Sequence, residues 1–139
     1  MKYSKEEVLE RCNAMCKNTL METLGIEFID VSEDSIVARM PVTPRVHQPD
    51  GVLHGGASVA LAESVGSAGA LFFLSGVNVQ IRGIEIAANH VKSVSSGFVY
   101  AKAKIIHKGR TTQLWQIPIT NENDQLISQV KLTTITLRT

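Results

Sequence analysis

Between residues 4 and 25 (SKEEVLERCNAMCKNTLMETLG), Val8, Cys12, Met15 and Cys16 recur three or four positions apart, the period of a helix face. Ser4 precedes Glu7 by three residues, a capping-box spacing, and Gly25 fits a helix stop. One or two short helices are predicted there. The apolar period then drops to two. Ile26, Phe28 and Ile29 precede the polar turn SED, and Ile36, Ala38 and Met40 alternate after it, which predicts a hairpin. Pro41 and Pro44 end its second strand and open a loop over residues 43–53.

Residues 55–74 are small or apolar at nearly every position and rich in Ala, Leu and Ser. That run is too long for one strand and predicts a helix buried on most of its faces. After Gly76 the period is two again. VQIRGIEIAANHVKSV predicts one strand, with Ile84 and Ile86 alternating with Glu85. GFVYAKAKIIHKG sets Val99, Ala101, Ala103 and Ile105 against the opposite face. TTQLWQIPIT does the same with Trp115, Ile117 and Ile119, and its Pro118 predicts an edge or a bulge. NENDQ is a turn, and QLISQVKLTTITLRT closes the chain as a strand. The sum is one α+β domain over residues 1–139, a mostly antiparallel sheet wrapped on one central helix.

Fourteen basic and thirteen acidic side chains give a net charge of +1, which lacks the basic footprint of a nucleic-acid-binding protein. The two cysteines, Cys12 and Cys16, are too few for a disulfide framework and have no zinc-site spacing, so they read as reduced thiols. No set of His, Asp and Glu has metal-ligand spacing. The N-terminus alternates in charge and has no apolar signal core. Residues 64–81 carry no charge, but Ser64, Ser67, Ser75, Asn78 and Gln80 interrupt them, so a soluble, cytoplasmic chain without a membrane span is expected.

Within that helix stands one carboxylate, Glu63. A buried carboxylate is costly unless it is paired or hydrogen-bonded. No Lys or Arg lies within a helical turn of it. It reaches solvent, meets a partner such as Arg82 or His90, or lines a cavity and acts on a ligand. Its neighbours favour the last reading. His54, Gly55 and Gly56 stand at the helix start, where first-turn N–H groups lack intrahelical acceptors and the helix dipole is positive. That is a candidate oxyanion hole, with His54 organising the turn. Gln48 in the preceding loop is a further donor, and Ser67 follows Glu63 by four on the same helix face. At about 1.5 Å per residue, Glu63 lies roughly 10–12 Å from the helix start. That is far for both to serve one small group within a chain, so a dimer that brings two such helices antiparallel, one subunit's Glu63 beside the other's helix start, is expected. Two further polar clusters stand near strand ends. ANHVKS holds His90, Lys92 and Ser93, and HKGRTT holds His107, Lys108, Arg110, Thr111 and Thr112. Together these are candidates for a phosphate-bearing ligand. There is no P-loop and no G-x-G-x-x-G.

HQPDGVLHGGASVALAESVGS resembles the signature of hotdog-fold acyl-CoA thioesterases of the phenylacetate-degradation and 4-hydroxybenzoyl-CoA type. It is most similar to the menaquinone-pathway and enterobactin-proofreading branches. The likeness runs on through EIAANHVKS, HKGR and WQI. It implies a hotdog fold and paired subunits, a homotetramer built as a dimer of dimers, with active sites between subunits. It implies Glu63 as nucleophile or general base, and Gln48 and the Gly55 amide on the thioester oxygen. It implies coenzyme A contacts from Gly83, from His90, Val91, Lys92 and Ser93, and from His107, Lys108, Gly109, Arg110, Thr111 and Thr112. Close relatives often carry Arg where Val91 or Lys92 stands. No separate cofactor is implied, since coenzyme A is part of the substrate, an aryl- or medium-chain acyl-CoA or an acyl-carrier-protein thioester. Val59, Leu71 and Phe72 are expected to line the acyl pocket. Two other readings remain at this stage, a hotdog dehydratase or hydratase and a non-catalytic acyl-CoA-binding module. The first usually needs a His on the central helix, and none stands there.

Overall fold

The computed structural model describes residues 2–74 and 79–138. Helix α1 (Lys5–Met15) starts where Ser4 accepts the Glu7 N–H at 3.1 Å, one half of the predicted capping box. Helix α2 (Leu20–Leu24) is capped by Thr19 and ends at Gly25, which turns the chain at φ 74°. The predicted hairpin is β1 (Glu27–Val31) and β2 (Ser35–Pro41). The loop after it contains a short 3-10 turn, Pro44–Val46, and a bridge between His47 and Leu53. Then come the long helix α3 (Gly55–Phe73) and the strands β3 (Val79–His90), β4 (Phe98–Lys108), β5 (Thr112–Thr120) and β6 (Leu126–Arg138). Gly76, after which the apolar period changes, lies outside the described residues.

The strands form one six-stranded antiparallel sheet in the order β1-β2-β4-β5-β6-β3. Its apolar face wraps α3. Val99, Ala101 and Ala103 of β4, Trp115, Ile117 and Ile119 of β5, and Val130 and Leu132 of β6 are buried there. From the helix side come Leu61, Ala62, Val65, Ala68 and Ala70. One face of α3 is therefore spent on packing, while Leu71 stays exposed. Two helix glycines set the spacing: Gly66 lies under Leu132 and Ile117, and Gly69 under Trp115 and Ile36, where a Cβ would crowd the sheet.

Three expectations need correction. The strand predicted over residues 79–94 ends at His90. The expected alternation of Ile84 and Ile86 is broken by a bulge between Gly83 and Glu85, which leaves Ile84 55% exposed. Pro118 is not on an edge. It lies in β5, between β4 and β6, paired with Gln129 on one side. On the other side the β4 ladder is interrupted between Ala101↔Ile119 and Lys104↔Gln116, so the missing N–H falls in a gap.

Candidate active site

Helix α3 begins at a loop that is tied back on itself. The His54 N–H donates to Val46 O at 2.8 Å, and Gln48 N–H donates to Val52 O at 2.8 Å. His54 is the N-cap of α3: its Nδ1 accepts the Gly56 N–H at 2.8 Å. The Ala57 and Ser58 amides bend back to His54 O. This leaves the Gly55 N–H as the first-turn amide without an acceptor among the described residues. The organising role expected for His54 is thus a capping role.

Gln48 faces the same place. Its side-chain oxygen accepts from the Asp50 N–H, within a turn closed by Gly51 at φ 78°. With the oxygen held by the loop, the amide NH2 is the end left to donate. Gln48 and Gly55 line one cavity of about 350 Å³ together with Ser58, His90, Lys92 and Ser93. The His90 ring lies over Gly55, where a Cβ would be 2.7 Å from His90 Nε2. The other ring nitrogen is 2.6 Å from Ser128 Oγ, the residue opposite His90 in the β3–β6 ladder. Ser128 is fully buried, and nothing in the sequence pattern marks it, because only the strand register brings it to His90.

Glu63 is elsewhere. It lies two turns further along α3 and lines a second cavity, of about 580 Å³, with Ser64, Ser67, Leu71, Ile81 and Arg82. A Cβ on Gly83 would be 2.5 Å from Glu63 Oε2, so the carboxylate rests on the bare backbone of β3. Neither expected structural partner holds it. Arg82 donates instead to Ile81 O and Gln80 Oε1, and His90 sits at the far end of β3. Among the described residues no ion pair or hydrogen bond is made by the Glu63 carboxylate, and Ser67 shares its cavity without bonding it. Of the side chains expected around the acyl group, Leu71 lines this cavity. Val59 does not, and Phe72 packs edge-on against Tyr3 at 6.2 Å.

The two polar clusters are separated too. His90, Val91, Lys92 and Ser93 are at the helix start. Lys108, Gly109 and Arg110 line a recess of about 410 Å³ at the other end of α3, with Leu74, Gln113 and Arg138. His107, Thr111 and Thr112 are exposed beside that recess. The turn is anchored inward. The buried Gln113 amide donates to Gly109 O at 3.2 Å, its oxygen accepts from Thr134 Oγ1 at 2.8 Å, and the Trp115 indole donates to Thr134 at 3.0 Å. Arg138 donates to Arg110 O at 3.0 Å.

The thioesterase-superfamily profile matches residues 50–128, which carry Gly55, Glu63, Gly83 and the His107–Lys108 end of β4. The chain belongs to the thioesterase superfamily. It is 41% identical over 137 residues to an Escherichia coli 1,4-dihydroxy-2-naphthoyl-CoA hydrolase, covering 99% of this chain and 100% of that one. It is 43% identical over 135 residues to the proofreading thioesterase EntH of Cronobacter turicensis, covering 96% and 97%. A crystal structure of a mutant thioesterase from Pseudomonas aeruginosa superposes with a TM-score of 0.90 at 40% identity, covering 93% of each chain. The protein is a hotdog-fold thioesterase, a thioester hydrolase acting on acyl-CoA-like thioesters. Members of this family act without an added cofactor.

Proposed function

We propose that the enzyme hydrolyses an aryl- or medium-chain acyl-CoA at a site shared by two subunits, with Glu63 of one facing Gln48 and Gly55 of the other. The observation that carries this is the separation of the two halves. The unpaired carboxylate and the unpaired donors line different cavities of one chain, eight residues or about 12 Å apart along α3. Strand β3 supplies the means of joining them. It is an edge strand whose outer side has no partner among the described residues; Ile84 stands exposed on it at 55%, and Val91, just past its end, at 58%. A second copy added antiparallel along this edge puts one subunit's Val79–Gly83 end beside the partner's His90 end. The Glu63 cavity then opens onto the partner's Gln48 and Gly55. A dimer of such dimers gives the tetramer.

In this arrangement the Gly55 N–H and the Gln48 amide hold the thioester oxygen as negative charge develops on it. Glu63 either attacks the carbonyl carbon or takes a proton from the attacking water. The coenzyme A thiolate leaves and takes up a proton, and the acid is released. In this reading the basic recess of Lys108, Arg110 and Arg138 and the Lys92–Ser93 segment take the coenzyme A phosphates, which their positive charge supports. The aryl choice is supported by the naphthoyl-CoA substrate in the name of the E. coli relative. Helix α3 carries no His, which speaks for hydrolysis over dehydration.

A thiol-release assay over aryl- and alkanoyl-CoA and acyl-carrier-protein thioesters, run with wild type and Glu63→Gln, tests this. Turnover by wild type and a loss of about a hundredfold or more in kcat for Glu63→Gln are expected. Full activity in Glu63→Gln removes the carboxylate from the chemistry. Wild-type preference for short alkanoyl groups over aryl ones removes the substrate assignment.

A further inference from the structure

The cavity holding Glu63 is walled on one side by the N-terminal helices. Cys12 and Met15 of α1 and Leu20 and Met21 of α2 face Leu71 and Ile81 across it. No charged residue of α1 or α2 lines it among the described residues. Three large apolar side chains at its mouth are turned to water: Met15 at 43%, Leu20 at 61% and Leu71 at 39% exposure. Apolar side chains left wet around a cavity mark a groove for an apolar ligand. The two methionines and the Cys12 thiol make a wall that adapts to its contents.

That wall is held at a set distance from the opposite side. Asn13 clasps the backbone of Phe28: its amide donates to Phe28 O at 3.0 Å, and its oxygen accepts the Phe28 N–H at 2.8 Å. These are the two bonds a neighbouring strand residue would make, on the free edge of β1. Phe28 itself lines the cavity, so one side chain couples the α1 wall to its floor. The only ion pair holding α1 among the described residues, Lys5–Asp30, is on the surface and holds weakly.

We infer that the N-terminal helix pair is the acyl-size gauge of the enzyme. Met15 and Leu20 close over the end of an apolar acyl chain, and Asn13 is the positioning residue that fixes their height above Phe28. This rests on reading the Glu63 cavity as the acyl site. It adds that selectivity among acyl groups resides in the first two helices, away from the thioester-holding loop.

The test uses non-hydrolysable S-alkyl-CoA thioethers of increasing length, from ethyl to decyl, bound to the full-length protein and followed by calorimetry. Thioester hydrolysis of the matching acyl-CoAs is measured in parallel. Wild-type affinity is expected to rise with chain length. Met15→Trp, which fills the mouth at an exposed position, lowers affinity for the decyl ligand about tenfold and leaves the ethyl ligand within about twofold. Asn13→Ala flattens the dependence on length, reducing the decyl-to-ethyl affinity ratio about fivefold. A merely destabilised protein would weaken all ligands alike, so the ratio is the readout. Wild-type affinity independent of length overturns the inference, and so does an unchanged length profile in both variants. Normal length-dependent binding without hydrolysis by wild type would instead defeat the hydrolase mechanism and leave the gauge standing.

Discussion

The Glu63 carboxylate lies on the backbone of Gly83, with room for no side chain between them: a Cβ there would be 2.5 Å from Oε2 and 3.2 Å from the carboxyl carbon. The residue that sequence likeness assigns to coenzyme A contact thus also seats the carboxylate proposed above as the catalytic one. Gly83→Ala should push the carboxylate aside, because the end of a flexible side chain yields more easily than a strand. We expect kcat to fall about a hundredfold, as for other displacements of about an ångström. Stability should change by less than about 1 kcal/mol. Denaturant melts beside steady-state kinetics check both halves, and an unchanged kcat would show that the carboxylate's seat does not matter.

His54 caps α3 through Nδ1 and the Gly56 amide. His54→Ala should cost about 1 kcal/mol, the usual worth of a side-chain N-cap. It should also cost catalysis, because the freed turn no longer aims the neighbouring Gly55 N–H. His54→Asn, which can cap, should regain most of the stability. Chemical denaturation and steady-state kinetics of the three proteins separate the capping role, for which Asn restores both stability and activity, from a direct catalytic one, for which Asn would restore no activity.

Burial pushes the Cys12 thiol up to about 12, and the nearby Cys16 adds to the rise. In the unfolded chain the thiol titrates near 9.0. Above that value the unfolded state gives up its proton while the folded state keeps it. Stability is therefore unaffected by this group below pH 9.0 and falls as pH rises from there toward about 12. Cys12→Ala should show a shallower alkaline loss in urea melts. In the native wild type, Cys12 should react with thiol reagents at neutral pH far more slowly than a free thiol. Rapid labelling of Cys12 would contradict its burial.

Much of this was legible in the chain. Small and apolar residues through α3, and the strict alternation of Val99, Ala101 and Ala103 or Trp115, Ile117 and Ile119, leave few alternatives for where they pack. The glycines before Glu63 and the Gln48 loop marked residues that line one cavity at the helix start. What was hidden depends on contacts between distant segments. The bulge at Ile84 has no periodic signature. Ser128 meets His90 only through strand register. Asn13 is one polar residue on a helix until the β1 edge stands beside it. The two cavities, one with Gly55 and one with Glu63, stand eight residues apart along α3, a spacing already countable in the sequence.

The most direct test of the shared site mixes two inactive variants, Glu63→Gln and Gln48→Ala, by unfolding and refolding them together. If Glu63 serves the partner's donors, each mixed dimer has one site with both defects and one with none. Equal mixing should then recover about a quarter of wild-type activity, since about half the dimers are mixed. If each chain carries a complete site, every site keeps a defect and the mixture stays as inactive as its parents. That result would contradict the intersubunit account.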